Sequence, residues 1–93
     1  MSLEGLEALR TRFRERAADD LTAIEAWIAA GGPASDAIER RIHNLAGAAG
    51  TFGFADLHAA VATIDDSLCA GEVVRPEDSA TLVAALRALR PHG

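Results

Sequence analysis

The sequence predicts an all-α fold, an antiparallel up-down four-helix bundle with a short extra N-terminal helix. Three observations carry that expectation. Twenty-one of the 93 residues are alanine, whereas Val, Ile and Thr together supply fourteen and aromatics only 4%. Helices favour the abundant residue and strands favour the scarce ones. Turn-forming residues are few and widely spaced, at Gly31-Gly32-Pro33, at Gly53, from Gly71 to Pro76, and at Pro91, which leaves four long segments. Apolar residues recur at the helical period within each segment. The length suits one compact domain over residues 1–93 and excludes a two-domain enzyme.

In the first segment Leu3, Leu6, Phe13, Ala17, Leu21, Ile24 and Ile28 share a narrow arc at about 100° per residue. Arg10 falls inside that arc, and the pattern outruns an ordinary globular helix. The expectation is therefore a short leading helix, a break near residues 8 to 12, and a second helix to Ala30. The second segment opens at Ser35, a good N-cap, with Asp36 behind it where a carboxylate suits the helix dipole. Its stripe is Ile38, Ile42, Leu45, Ala49 and Phe52, and Gly53 closes it. Phe54 starts the third segment, with Leu57, Val61, Ile64 and Leu68 as its stripe. In the fourth, Pro76 fits a first helical position and Glu77 and Asp78 follow in the first turn. Leu82, Val83, Leu86 and Leu89 form its apolar face, with Arg87 and Arg90 in the last turn. Connections of about two to eight residues make neighbouring helices antiparallel.

Nine cations stand against fourteen carboxylates for a net charge of -5, and all nine are arginine. This balance lacks the basic footprint of a nucleic-acid binder. No apolar run reaches the roughly 20 residues that span a bilayer, and MSLEGLEALR carries acid where a signal peptide carries base, so neither a nucleic-acid nor a membrane partner is expected and a cytoplasmic location is. The single Cys69 makes no internal disulfide and has no Cys or His at metal-ligand spacing, which reads as a buried, inert thiol and no metal site.

The stretch with chemical content runs from Arg40 to Gly53. With the Ile42, Leu45 and Ala49 stripe as zero, His43 points about 140° away, toward solvent. Gly47 and Gly50 follow on the same side at about 180° and 120°, with Ala46 bordering them at about 80°. Each interior helical glycine costs roughly 1 kcal/mol relative to alanine. Two glycines facing outward imply that something approaches the backbone there. A surface imidazole beside cleared space suits a group that another macromolecule's active site must reach.

His43-Asn44-Leu45-Ala46-Gly47, with Ala48, Ala49, Phe52 and Gly53 following, resembles the motif of histidine-containing phosphotransfer domains. That pattern runs His, any, Leu, Lys, Gly, small, small, any, any, apolar, Gly. Four helices, an exposed histidine on the second long one and the total length agree with the same family, so the resemblance covers essentially the whole chain. It implies that His43 accepts a phosphoryl group and exchanges it with an aspartate on a response-regulator receiver domain. The residue chemistry agrees: an ordinary imidazole, with pKa about 6.5, is substantially neutral at pH 7 and offers a lone pair to phosphorus. Phosphoryl transfer needs mainly positioning and charge stabilisation, with Mg²⁺ expected on the partner receiver and no cofactor on this domain. The implied partners are that receiver and a sensor or hybrid histidine kinase, with the chain itself a monomer. It carries no nucleotide-binding glycine loop, so it is a protein substrate and shuttle without autokinase activity.

One position departs from the pattern. Where the family has lysine, three residues after the histidine, this chain has Ala46, and no lysine exists elsewhere. Arg40, about 60° from His43 on the wheel, either supplies the missing cation or pairs with Asp36 at i−4. Asn44, Ala46, Gly47, Ala48 and Gly50 are, with Arg40, the expected receiver contacts. His58 reads as structural or solvent-facing, His92 has no role, and Phe13, Trp27, Phe52 and Phe54 read as core packing. Two other functions fit the same residues. One is a helical-bundle interaction module that binds receivers without phosphotransfer; the other is the phosphoacceptor domain of a chemotaxis-type kinase.

Overall fold

The computed structural model describes residues 3–89, and Arg90, Pro91 and His92 lie outside them, as do Met1 and Ser2. Four helices make up the fold: α1 (Leu3–Ala29), α2 (Asp36–Thr51), α3 (Ala55–Cys69) and α4 (Pro76–Ala88). No strand occurs among the described residues. Each helix packs against its neighbours in sequence and α1 closes the ring against α4, the up-down bundle expected from the short connections.

The helix ends follow their residues. The Ser35 hydroxyl accepts a hydrogen bond from the Ile38 amide at 3.2 Å, capping α2. Pro76 begins α4 with Glu77 and Asp78 in its first turn and Arg87 in its last. At the other end of α2, Gly53 takes φ +77°, a left-handed conformation that costs other residues about 1 kcal/mol or more. The Phe54 amide then reaches back to the Ala49 carbonyl at 2.9 Å, which turns the chain directly into α3. The α3 end closes the same way at Gly71.

The core is one cluster drawn from all four helices, with Leu21, Ile24, Ile42, Val61, Ile64, Leu82 and Leu86 fully buried. At the α2–α3 turn, Phe13 of α1 stacks on Phe54 with ring centroids 4.8 Å apart and meets Phe52 at 5.8 Å. Phe13, Phe52 and Phe54 are therefore packing residues of the core, and Trp27 is buried at its edge.

The break expected near residues 8 to 12 does not occur: α1 is one helix of 27 residues with no separate leading helix. Two facts account for this. No glycine or proline interrupts the chain between Gly5 and Gly31. Arg10, the charge that spoiled the apolar arc, lies over the Phe54 ring at 4.8 Å from its centroid, so a cation belongs in that arc. At about 1.5 Å per residue α1 is roughly 40 Å long, and it sets the 41 Å long axis of the molecule.

Candidate functional site

His43 projects from the middle of α2, with its side chain 74% exposed. Its Nδ1 lies 3.3 Å from Oδ2 of Asp65 on α3, a carboxylate only 19% exposed. With the proton on Nδ1, the ring donates to that carboxylate, and the Nε2 lone pair is left free. Asp65 is held by its neighbours, since Ile64 beside it is fully buried in the core.

The other oxygen of Asp65 faces Cys69 one turn further along α3, where the thiol donates to Oδ1 at 3.9 Å. The Asp65 carboxylate is the main cause that raises the Cys69 pKa above its ordinary value, with smaller contributions from desolvation, Asp66 and Glu39. This corrects the reading of Cys69 as a buried thiol: it is exposed. The neighbouring Asp65 carboxylate, more than desolvation, disfavours its thiolate form.

The glycine strip divides in two. A Cβ placed on Gly47 meets nothing within 4 Å, so the space beside His43 is open there. A Cβ on Gly50 would stand 3.2 Å from Nδ1 of His58, whose ring crosses from α3 over the α2 backbone and donates to the Ala46 carbonyl at 2.9 Å. Gly50 is thus explained by packing inside the domain, and His58 is structural.

The remaining expected contacts separate as well. Ala46 is buried, with 8% exposure, and its backbone carbonyl accepts a hydrogen bond from His58. Asn44 and Ala48 turn toward α1, where they line a cleft of about 200 Å³ with Phe13, Arg16, Asp20, Arg41 and Leu45. Arg40 is exposed and makes no ion pair with Asp36 or with any other carboxylate among the described residues. Its neighbour Arg41 donates to Oδ1 of Asp20 at 2.6 Å, and Asp20 is 4% exposed, so this pair ties α2 to α1. The sequence pattern missed both Asp20 and Asp65. Among the described residues no group of three or more His, Cys, Asp or Glu side chains is placed to hold a metal ion, and no helix is long and apolar enough to cross a membrane.

A four-helix bundle that presents the His43 imidazole to solvent, backed by the largely buried Asp65 carboxylate and with open space at Gly47 one turn on, is a helical histidine module. The chain belongs to the Hpt domain family, whose model matches residues 8–91. Hpt domains are phosphotransfer modules of two-component signalling rather than kinases, and they typically interact with receiver domains and histidine kinases. No match is found among curated proteins or among solved structures.

Proposed function

We propose that this domain is a phosphorelay intermediate that accepts a phosphoryl group on His43 and exchanges it with the aspartate of a response-regulator receiver domain. The observation that carries this reading is the His43 imidazole itself, exposed at Nε2 and tethered at Nδ1 to Asp65. Nε2 attacks the phosphorus of the receiver's aspartyl phosphate. An N–P bond forms as the bond from phosphorus to the carboxylate oxygen breaks, and that electron pair stays on the released aspartate. The ring becomes cationic as the bond forms, and the Asp65 carboxylate stabilises the new charge. The reverse step returns the group to a receiver. Mg²⁺ on the receiver neutralises the phosphoryl oxygens, so this domain contributes a placed nucleophile and a docking face. A sensor or hybrid histidine kinase supplies the group at the start of the relay, and the domain works as a cytoplasmic monomer without kinase activity of its own.

Asp65 acts through His43 as a positioning residue. Asp65→Asn keeps the shape and removes the charge. A charge-assisted hydrogen bond of about 1.5–3 kcal/mol corresponds to a rate lowered roughly tenfold to hundredfold, read in single-turnover transfer from a phosphorylated receiver. The same substitution removes the main influence that raises the Cys69 pKa. More thiolate is then present at a given pH, so alkylation of this sole cysteine near pH 8 becomes faster. An unchanged transfer rate together with faster alkylation removes Asp65 from the mechanism while confirming its position.

Arg40, with no carboxylate partner, is the cation nearest in sequence to His43 that is free to meet the phosphoryl oxygens. Arg40→Ala is expected to slow transfer by about twofold to fivefold, the size of an exposed charge interaction. An unchanged rate shows that the domain works without a cation in the place of the family's lysine.

Gly47→Ala separates folding from docking. The added methyl meets nothing in the domain, and alanine is favoured over glycine inside a helix by about 1 kcal/mol. The urea midpoint therefore rises while transfer with a receiver slows, because the methyl stands where the partner's surface approaches. A gain in stability with full transfer activity shows that Gly47 lies outside the docking face.

A further inference from the structure

Where the α1–α2 and α3–α4 connections meet, the end of the bundle holds a groove that chemistry at His43 does not use. Its volume is about 750 Å³, within the roughly 300–1,000 Å³ of ordinary binding sites. Trp27, Ile28, Leu68, Val74 and Val83 supply apolar walls, and Val73 stands at its mouth with 90% of its surface in solvent. Val73 is the one large apolar side chain so exposed among the described residues. The Trp27 indole is fixed as a wall because its Nε1–H donates to the Pro33 carbonyl at 2.8 Å.

The charges at this groove have one sign. Glu25, Glu39 and Glu72 line it, and no lysine, arginine or histidine does. Arg87 neutralises Glu25 at 2.6 Å, and Arg75, adjacent to the rim in sequence, is paired with Glu77 and Asp78. Glu39 and Glu72 have no ion-pair partner among the described residues. Ser79 is the only uncharged polar side chain in the lining. A small ligand would find almost nothing inside to orient it by hydrogen bonding. An apolar strip flanked by cations matches the groove in both respects, with side chains at i, i+3, i+4 and i+7 entering it and basic residues reaching the carboxylates.

We propose that this groove docks a cationic amphipathic helix of a partner protein, and that it does so independently of phosphorylation. Glu39 lies one turn before His43 on α2, so such a helix holds its parent protein beside the phosphoacceptor face.

The test uses the unphosphorylated domain and a leucine and arginine amphipathic peptide of about 18 residues, long enough to form a helix when bound. Trp27 is the only tryptophan, so its emission reports occupancy directly. The expected result is a saturable spectral change that weakens with added salt. Val73→Ser, which removes the exposed apolar contact without adding charge, and separately the Glu39→Lys and Glu72→Lys pair, weaken binding by about tenfold or more with circular dichroism unchanged. Both sites are exposed, so these variants fold. Three results overturn the proposal: no saturable change, equal binding of a peptide with glutamate in place of arginine, or an emission change that follows self-association of the domain in sedimentation.

Discussion

His43→Gln abolishes acid-labile, base-stable phosphate on the domain and leaves a phosphorylated receiver undrained. Glutamine preserves a polar side chain of similar reach beside Asp65 but offers no nucleophilic nitrogen, so the loss is complete rather than partial. The fold is untouched, because the histidine side chain is 74% exposed and is not part of the core cluster. Its stability stays within about 0.5 kcal/mol of the parent domain, as for other surface substitutions. Labelling with a phosphorylated receiver, or with a kinase plus ATP and Mg²⁺, checks the first statement and a urea melt checks the second. Residual label on the variant places the acceptor elsewhere.

The second large effect falls on stability. Ile64 is fully buried where α3 meets the core, one residue before Asp65. Ile64→Ala removes three carbons from a packed interior and leaves a cavity that the neighbouring helices fill only in part, at a cost of about 2–5 kcal/mol. A domain of this size has roughly 5–15 kcal/mol in total, so a large share of the stability goes. The urea midpoint falls sharply with an unchanged slope. A loss below about 1 kcal/mol would show that the bundle repacks freely around α3. It would also mean that Asp65 is not held rigidly against His43.

Local patterns made the bundle legible. Ser35 before an apolar stripe, Gly53 after one, and Pro76 followed by two carboxylates are short-range signals, and each marks the helix end it indicated. The direction of His43 was legible for the same reason: the stripe of its own helix fixes which way it faces. What the pattern did not reveal depends on which helix lies opposite. His43 and Asp65 sit eleven residues either side of Phe54, and Gly50 and His58 four residues either side. In an antiparallel hairpin with equal rise along both arms, such equidistant positions are level. Reflecting α2 about its turn is the signal that would have found both pairs. Arg10 misled the reading for a related reason, because the ring that accepts it, Phe54, lies far along the chain. Cys69 was read as buried because it lacks disulfide and metal-ligand partners, but that absence does not fix which way its side chain faces, and it is exposed at the end of α3.

The central claim is that the Nε2 atom of His43 carries the phosphoryl group while Nδ1 stays bound to Asp65. Nitrogen-15 NMR of histidine-labelled domain, recorded after phosphorylation by a receiver, reads the modified atom directly. The account predicts phosphorus on Nε2 of His43 alone, with His58 unmodified and its Nδ1 proton still engaged at the Ala46 carbonyl. Phosphorus on Nδ1 of His43, or on His58, would contradict it.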